Sequence, residues 1–326
     1  RDDFVVIDWY THAFSETLRE GAKREIPKIA NVELFRKWLA PHVKRRLTAE
    51  PEVAKFIQLP PAQFETIVVP WDSKHLAYYL GAADDFVKWY RESRESEKHN
   101  NLAVILAKLQ AVHTALNVPQ KGIEGLGAYC TLTSKQRAVR DYMIELSAQG
   151  KKSLLYCESP ATVKLLHREL ASQGIKSVQF HGGISIKRRV KAKDDDFIAG
   201  NAEHLLATKA SAKSGYNVPQ ADFVSFYDRS WSAKTEGQSM ARPMRVERKE
   251  PVKVVYFHLP GSLDVYQEQM VAFKADSAKA GLDWATPEKD SEEFLHLSTV
   301  LQNFVDDLAD LHNLTALQMR ELLKAA

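Results

Sequence analysis

Five short apolar runs constrain this chain more than any other feature in it. They are Ser153–Cys157, Ile175–Phe180, His204–Thr208, Phe223–Tyr227 and Val252–Phe257, each five or six residues long. Runs of that length, rich in Leu, Val, Phe and Tyr, read as strands buried on both faces. Helix signals stand between them. Ser134 caps a helical pattern from Lys135 to about Ala148, which Gly150 ends. Pro160 opens a second that runs to Ser172 and stops at Gly174, and a basic third extends from Ser185 to about Phe197. Strands alternating with helices are βαβ units, and such units build a parallel sheet. The expected fold class is α/β: an open, mainly parallel sheet over residues 133–260, with helices on both faces.

The rest of the chain is largely helical by pattern. Residues 1–48 are basic, with a short strand-like run at Phe4–Ile7 and apolar residues at helical spacing at Phe35, Trp38, Leu39 and Val43. Leu59-Pro-Pro61 breaks the helix, and Phe64–Val69 alternates and β-branches like a strand. Residues 74–116 return to helix, and Lys121–Gly127 is a Gly-punctuated linker. After Gly261 the chain reads as helix to its end, with Leu295, Leu301, Phe304, Leu308, Leu311 and Leu314 on a spiral stripe, expected to brace the fold or to dock a partner. At 326 residues and 44% hydrophobic, the chain has room for two domains and a sizeable core. A net charge of +3 permits a nucleic-acid partner without requiring one. Two cysteines without zinc-site spacing suit a reducing, intracellular setting. No apolar run approaches a membrane span and no secretory signal opens the chain, so neither a membrane partner nor secretion is expected.

Chemistry in an open parallel sheet gathers at the carboxyl ends of the strands. Three polar stretches fall there: His181-Gly-Gly183, Lys209 to Asn217, and Asp228-Arg-Ser-Trp231. A fourth, Gln238-Ser-Met-Ala-Arg242-Pro-Met-Arg245, spaces its polar heads four and three apart, which on a helix puts all three on one face. Two guanidiniums on one face suit a dense anion such as a polyphosphate.

As an ordered set, residues 133–275 resemble the C-terminal, second RecA-like lobe of a Swi/Snf-type superfamily-two DNA translocase. Ser153–Glu158 is similar to that family's first strand motif. His181-Gly-Gly183 with Lys187-Arg188-Arg189 and Phe197 is similar to its next segment. Leu205–Thr208 through Gly215-Tyr-Asn217 resembles the motif that touches DNA and senses nucleotide, and Trp231 with Gln238 to Arg245 resembles the closing arginine motif. Leu39 to Arg46, then Leu59-Pro-Pro61, resembles the link between the two lobes. The implied division is an inter-lobe helical segment over 1–127, the lobe over 128–280 and a helical extension over 281–326. Two departures stand out. Ser211-Ala212 occupy the place of a Gly-Gly pair, and Pro243 lies inside the arginine motif, where it bends or begins a helix.

The resemblance implies roles. Arg242 and Arg245 would be the catalytic arginines, meeting charge that develops on a transferred phosphoryl group. Gln238, Gly215, Asn217 and Asp228 would serve the nucleotide. Asp228 either orients an arginine or caps its loop, Gln238 alternatively only fixes the motif's backbone, and Gly215 and Asn217 are also ordinary turn residues. Thr208, Ser214, Lys187, Arg188, Arg189, Lys44, Arg45 and Arg46 would contact nucleic-acid phosphates, against the plainer reading of the basic runs as a solvated face or a helix end favouring cations. The sequence contains no G-x-x-x-x-G-K-[ST] loop and no Asp-Glu pair after a strand. ATP and Mg²⁺ are therefore expected in a longer polypeptide, held mainly by a first lobe, and not on this chain alone. The expected partners are DNA, with duplex favoured, and that first lobe. The chain opens at Arg1 in mid-pattern, as a fragment would. The alternative is a degenerate helicase lobe that binds nucleic acid or protein without catalysis.

Overall fold

The computed structural model describes residues 15–16, 28–29, 37–42, 50–57, 59–95, 102–212, 216–230, 233–245, 248–269 and 304. Its centre is a six-stranded, wholly parallel sheet. In chain order the main elements are β1 (Gln63–Val68), α1 (Ser73–Glu95), α2 (Leu102–Asn117), α3 (Ser134–Ala148), β2 (Ser153–Cys157), α4 (Pro160–Ser172), β3 (Ser177–Phe180), α5 (Ile186–Ala192), β4 (His204–Thr208), α6 (Lys209–Ala212), β5 (Phe223–Phe226), α7 (Ala233–Met240), β6 (Lys253–His258) and a helix, α8, over 263–269. The strands lie side by side in the order β1-β6-β5-β2-β4-β3. All five expected strands are present, with ends moved by at most two residues. The sixth comes from Gln63–Val68, which pairs along its whole length with β6.

Local chemistry explains the element ends. Thr133, one residue before the expected cap, closes a capping box with Gln136: its hydroxyl accepts the Gln136 amide at 3.1 Å, and the Gln136 side chain accepts the Thr133 amide at 3.0 Å. Gly150, at φ +67°, takes the left-handed turn that ends α3. The helix after Ser185 is regular to Ala192 and then widens into a π-helical turn, Lys193–Ile198, which buries Phe197 against the sheet.

Each face of the sheet carries its own core. Leu155, Cys157, Leu206, Val255 and Phe257 pack with apolar residues of α1 to α4. Leu154, Tyr156, Leu205, Val224 and Tyr256 face Phe197, Tyr216, Val218 and Met240 on the other side. Phe304, from the expected apolar stripe, is buried near Phe86 and Tyr266, with ring centroids 6.1 and 5.0 Å away. The other stripe residues lie outside the described residues, as do Phe4–Ile7. No helix among the described residues is long and apolar enough to cross a membrane.

Polar side chains stitch the layers. His75 Nε2 lies 2.9 Å from the Ala115 carbonyl, joining α1 to α2. His204 bonds Ser153 Oγ through Nδ1 at 2.8 Å and the Met143 carbonyl through Nε2 at 3.0 Å, joining β4 to α3. Burial pulls both imidazoles down from 6.5 to about 4. A histidine held neutral while the unfolded chain can take a proton gives stability that is whole above pH 6.5 and declines as pH falls. Urea titrations should therefore show stability dropping between pH 6.5 and 4, by about 3 kcal/mol for each of the two imidazoles, and levelling below that. His204→Gln should remove about half of that slope; an unchanged slope would contradict the assignment.

Candidate functional site

The carboxyl ends of the strands define one edge of the sheet. At its middle, neighbours β2 and β5 send their connections in opposite directions, β2 toward β3 and β5 toward β6. That divergence is where open α/β sheets place their ligand crevice. The connections around it carry most of the residues singled out from the sequence.

One rank of the sheet underlies this edge. Tyr256, Phe226, Tyr156, Ala207 and Phe180 are directly paired across β6, β5, β2, β4 and β3. Tyr256 stacks on Phe226 at 5.2 Å, and Phe226 on Tyr156 at 5.5 Å. Ala207 is too small to continue the row, and Tyr216 fills the space from the β4–β5 connection. Its ring centroid is 4.7 Å from that of Phe180, and its hydroxyl is 3.2 Å from that of Tyr156. Three guanidiniums rest on this row: Arg229 over Tyr256 at 4.0 Å, Arg242 over Tyr216 at 5.3 Å and Arg189 over Phe180 at 5.3 Å.

The arginine motif is not one helix face. α7 ends at Met240, and Arg242 and Arg245 lie in the turn and irregular segment beyond it. Pro243 is the physical reason: it has no amide to continue the ladder, and it disfavours helical backbone at Arg242. Arg242 Nη1 donates to the Tyr216 carbonyl at 3.3 Å. Arg245 Nη1 donates to the carbonyls of Ala241, at 3.0 Å, and Met244, and its Nη2 donates to Asn217 Oδ1. Arg242, Arg245, Tyr216 and Asn217 thus form one group. Gln238 is exposed on α7 and has no described contact with that group.

Asp228 lies beneath, 1% exposed. Its two carboxylate oxygens accept the Glu158 amide at 2.9 and 3.1 Å, and Lys209 Nζ is 2.7 Å from Oδ1. Burial, the largest single influence, would raise its pKa, but Lys209, by charge and hydrogen bond, together with His113 and Lys135 holds it below the ordinary value. Its carboxylate is engaged within the protein and does not face a nucleotide. Thr208 is also inside, its hydroxyl 2.6 Å from Ser211 Oγ, so that group does not present itself to DNA. Lys187 and Arg188 are exposed on α5, beside the edge strand β3, while Arg189 turns inward to Phe180. Lys44, Arg45, Arg46, Ser214, Gly215 and Trp231 lie outside the described residues.

Sequence reading missed several supporting groups. Arg229 pairs with Glu236 at 3.2 Å and Glu268 at 3.4 Å, and the Ser230 amide donates to Glu236 at 2.8 Å. Arg248 donates to the carbonyls of Pro219 and Ala221, each at 3.0 Å, and pins the segment before β6 to the one before β5. Lys135 and Asp264, both fully buried, pair at 2.7 Å, and Lys135 also donates to Asn117 Oδ1 at 3.0 Å. One signal was legible: an aromatic residue next to or at the end of four of the five apolar runs, at Tyr156, Phe180, Phe226 and Tyr256.

Residues 134–247 match the helicase conserved C-terminal domain. The chromatin-remodeling ATPase INO80 of Eremothecium gossypii is 24% identical over 182 residues, 53% of this chain and 12% of its own length. The INO80 of Aspergillus oryzae is 23% identical over 261 residues, 78% of this chain and 18% of its own length. The ATP-dependent helicase rhp16 of Schizosaccharomyces pombe is 23% identical over 145 residues, covering 44% of this chain and 16% of its own. The chain therefore spans less than a fifth of these relatives. Among solved structures, the C-terminal part of the Fun30 ATPase domain superposes with a TM-score of 0.58 at 11% identity, over 78% of this chain and 99% of its own. The Sulfolobus solfataricus SWI2/SNF2 ATPase core in complex with dsDNA gives 0.51 at 18% identity, over 77% and 54%. Both likenesses are likenesses of fold.

Arg229 offers a direct test of the site's framework. Burial raises the Glu236 pKa even with Arg229 beside it. Arg229→Met leaves that carboxylate buried without its nearest cation, and should cost about 3 to 5 kcal/mol in denaturant unfolding. Arg229→Met/Glu236→Gln should recover most of the loss; equal losses in the single and double variants would remove the ion pair from the account.

Proposed function

This chain carries the C-terminal lobe of a Swi/Snf-type superfamily-two helicase, and from that premise we propose that it is the second motor lobe of an ATP-dependent DNA translocase. Arg242 and Arg245 are its arginine fingers, and its basic surface contacts DNA phosphates. The observation that carries the reading is the pair of arginines at the carboxyl edge of the sheet. Arg245 is held by neutral oxygens, the carbonyls of Ala241 and Met244 and Asn217 Oδ1, which fix a guanidinium without cancelling the charge that would meet an incoming anion.

The described residues fit a phosphate better than a metal. Among them no group of three or more His, Cys, Asp or Glu side chains could hold a metal ion. The site offers guanidiniums and amides, which are donors for phosphate oxygens. Mg²⁺-bound ATP, held chiefly by a first lobe, supplies the phosphoryl group to be transferred. This chain's part is to bring Arg242 and Arg245 to the charge that develops in the transition state. Asn217 holds Arg245, Tyr216 supports Arg242, and exposed Lys187 and Arg188 grip the DNA backbone. The chain before β1 would belong to the link between lobes, whereas β1, α1 and α2 belong to the lobe itself. DNA is the partner, duplex before single strand, and the setting is intracellular. The non-catalytic alternative draws on one observation: a short helical turn, Lys209–Ala212, stands where the family has its glycine pair.

Two experiments test the reading. In a polypeptide joining this lobe to a phosphate-holding first lobe, Arg242→Ala or Arg245→Ala should lower kcat for ATP by roughly three to five orders of magnitude. Folding and DNA binding should be retained, and Lys should rescue poorly because it lacks the planar fork. Near-native kcat in both alanine variants would leave the binding module as the better account. Separately, this chain should bind duplex DNA weakly and with strong salt dependence. Lys187→Ala/Arg188→Ala should reduce the slope of log K against log salt by about 2. A slope unchanged by both substitutions would take α5 off the DNA path.

A further inference from the structure

Asp228 stands where an open parallel sheet ordinarily leaves a ligand crevice, yet its carboxylate is enclosed. Three central strands meet in it. Glu158, whose amide it accepts, follows β2; Lys209, its cation, follows β4; Asp228 itself follows β5. Two connections start from this ion pair. The one that Lys209 opens leads to Tyr216 and Asn217. The one that Asp228 opens leads through Arg229 and α7 to Arg242 and Arg245. Their far ends meet again, Arg242 on Tyr216 and Arg245 on Asn217. The two connections therefore form a ring, fixed at one end by a buried ion pair and joined at the other by the two arginines.

We propose that Lys209 and Asp228 are positioning residues, a buried clamp that sets where Arg242 and Arg245 stand. The proposal rests on the reading of those arginines as the groups that meet the nucleotide. The physical argument is a separation of roles. A buried ion pair adds little stability over a neutral pair of similar size, because desolvation offsets its attraction. What it adds is one preferred geometry. The ammonium and the carboxylate come within 2.7 Å only when the starts of both connections are held together. Displacing a reacting group by a fraction of its reach costs rate steeply and ground-state binding little.

The test is Lys209→Met/Asp228→Asn, which removes both charges and keeps the volumes close. It is made in this chain and in the polypeptide that includes the first lobe; Lys209→Gln/Asp228→Asn is a second neutral pair. The thermal midpoint should stay within about 5 °C of native. DNA-stimulated kcat should fall at least about tenfold, with KM for ATP within about twofold. In this chain, the side-chain NMR signals of Arg242 and Tyr216 should move while those of His75 and His204 stay. Native kcat with unmoved signals overturns the clamp. Failure of both neutral pairs to fold overturns it too, since the ion pair then holds the lobe together rather than aiming its loops. If Arg242→Ala and Arg245→Ala leave kcat near native, the functional reading falls, and the NMR signals alone decide: unmoved signals overturn the clamp, moved signals sustain it.

Discussion

Six parallel strands start in one rank, and most of what lies above them follows from that register. Gln63, Lys253, Phe223, Ser153, His204 and Ser177 are paired in a row across the sheet. Three residues on, the same ranking produces the row of Tyr256, Phe226, Tyr156, Ala207 and Phe180. Two further on it produces His258, Asp228, Glu158 and Lys209, at and just beyond the strand ends. A slip of one residue in any strand would exchange its two faces. In β5 it would break the aromatic row and pull Asp228 away from Lys209. The apolar ranks that fill both cores thus also decide which charged groups meet at the edge.

That dependence explains what was legible in the sequence. Buried parallel strands are short apolar runs between helix signals, so the five strands and the α/β class could be read from residues 153–257 directly. The sixth strand shows the limit. Gln63–Val68 alternates as a strand should, but nothing in its sequence says that it pairs with β6, nearly two hundred residues later, rather than belonging to a separate segment. The arginine motif shows a different limit. Spacing alone put Gln238, Arg242 and Arg245 on one helix face, while Pro243, which was visible, ends the helix. Spacing assumes the backbone that it is used to infer, and a proline is direct evidence about that backbone. Asp228, expected to serve the nucleotide by orienting an arginine or capping its loop, is 1% exposed, and such enclosure cannot be seen in a sequence. Lys209 carries no burial signal of its own, since a lysine is usually solvated and its enclosure depends on a carboxylate from another strand.

The arginines of the edge divide by what compensates them. Arg229 has two carboxylates and is almost wholly buried, so it serves the framework. Arg248 is spent on loop carbonyls and Asp222. Arg245 differs: its described partners are two carbonyls and an amide oxygen, all neutral. Neutral acceptors fix a guanidinium without cancelling its charge, whereas a carboxylate does both. A group meant to meet charge that appears only during reaction needs the first and is harmed by the second. A fixed cation also costs no reorganisation when that charge forms. The end of the helix before Pro243 is what permits this arrangement. On a continued helix, the carbonyls of Ala241 and Met244 would be directed along the ladder. With the helix ended, they are available to the Arg245 side chain, and the proline that looked like damage to the motif becomes part of how its last arginine is held.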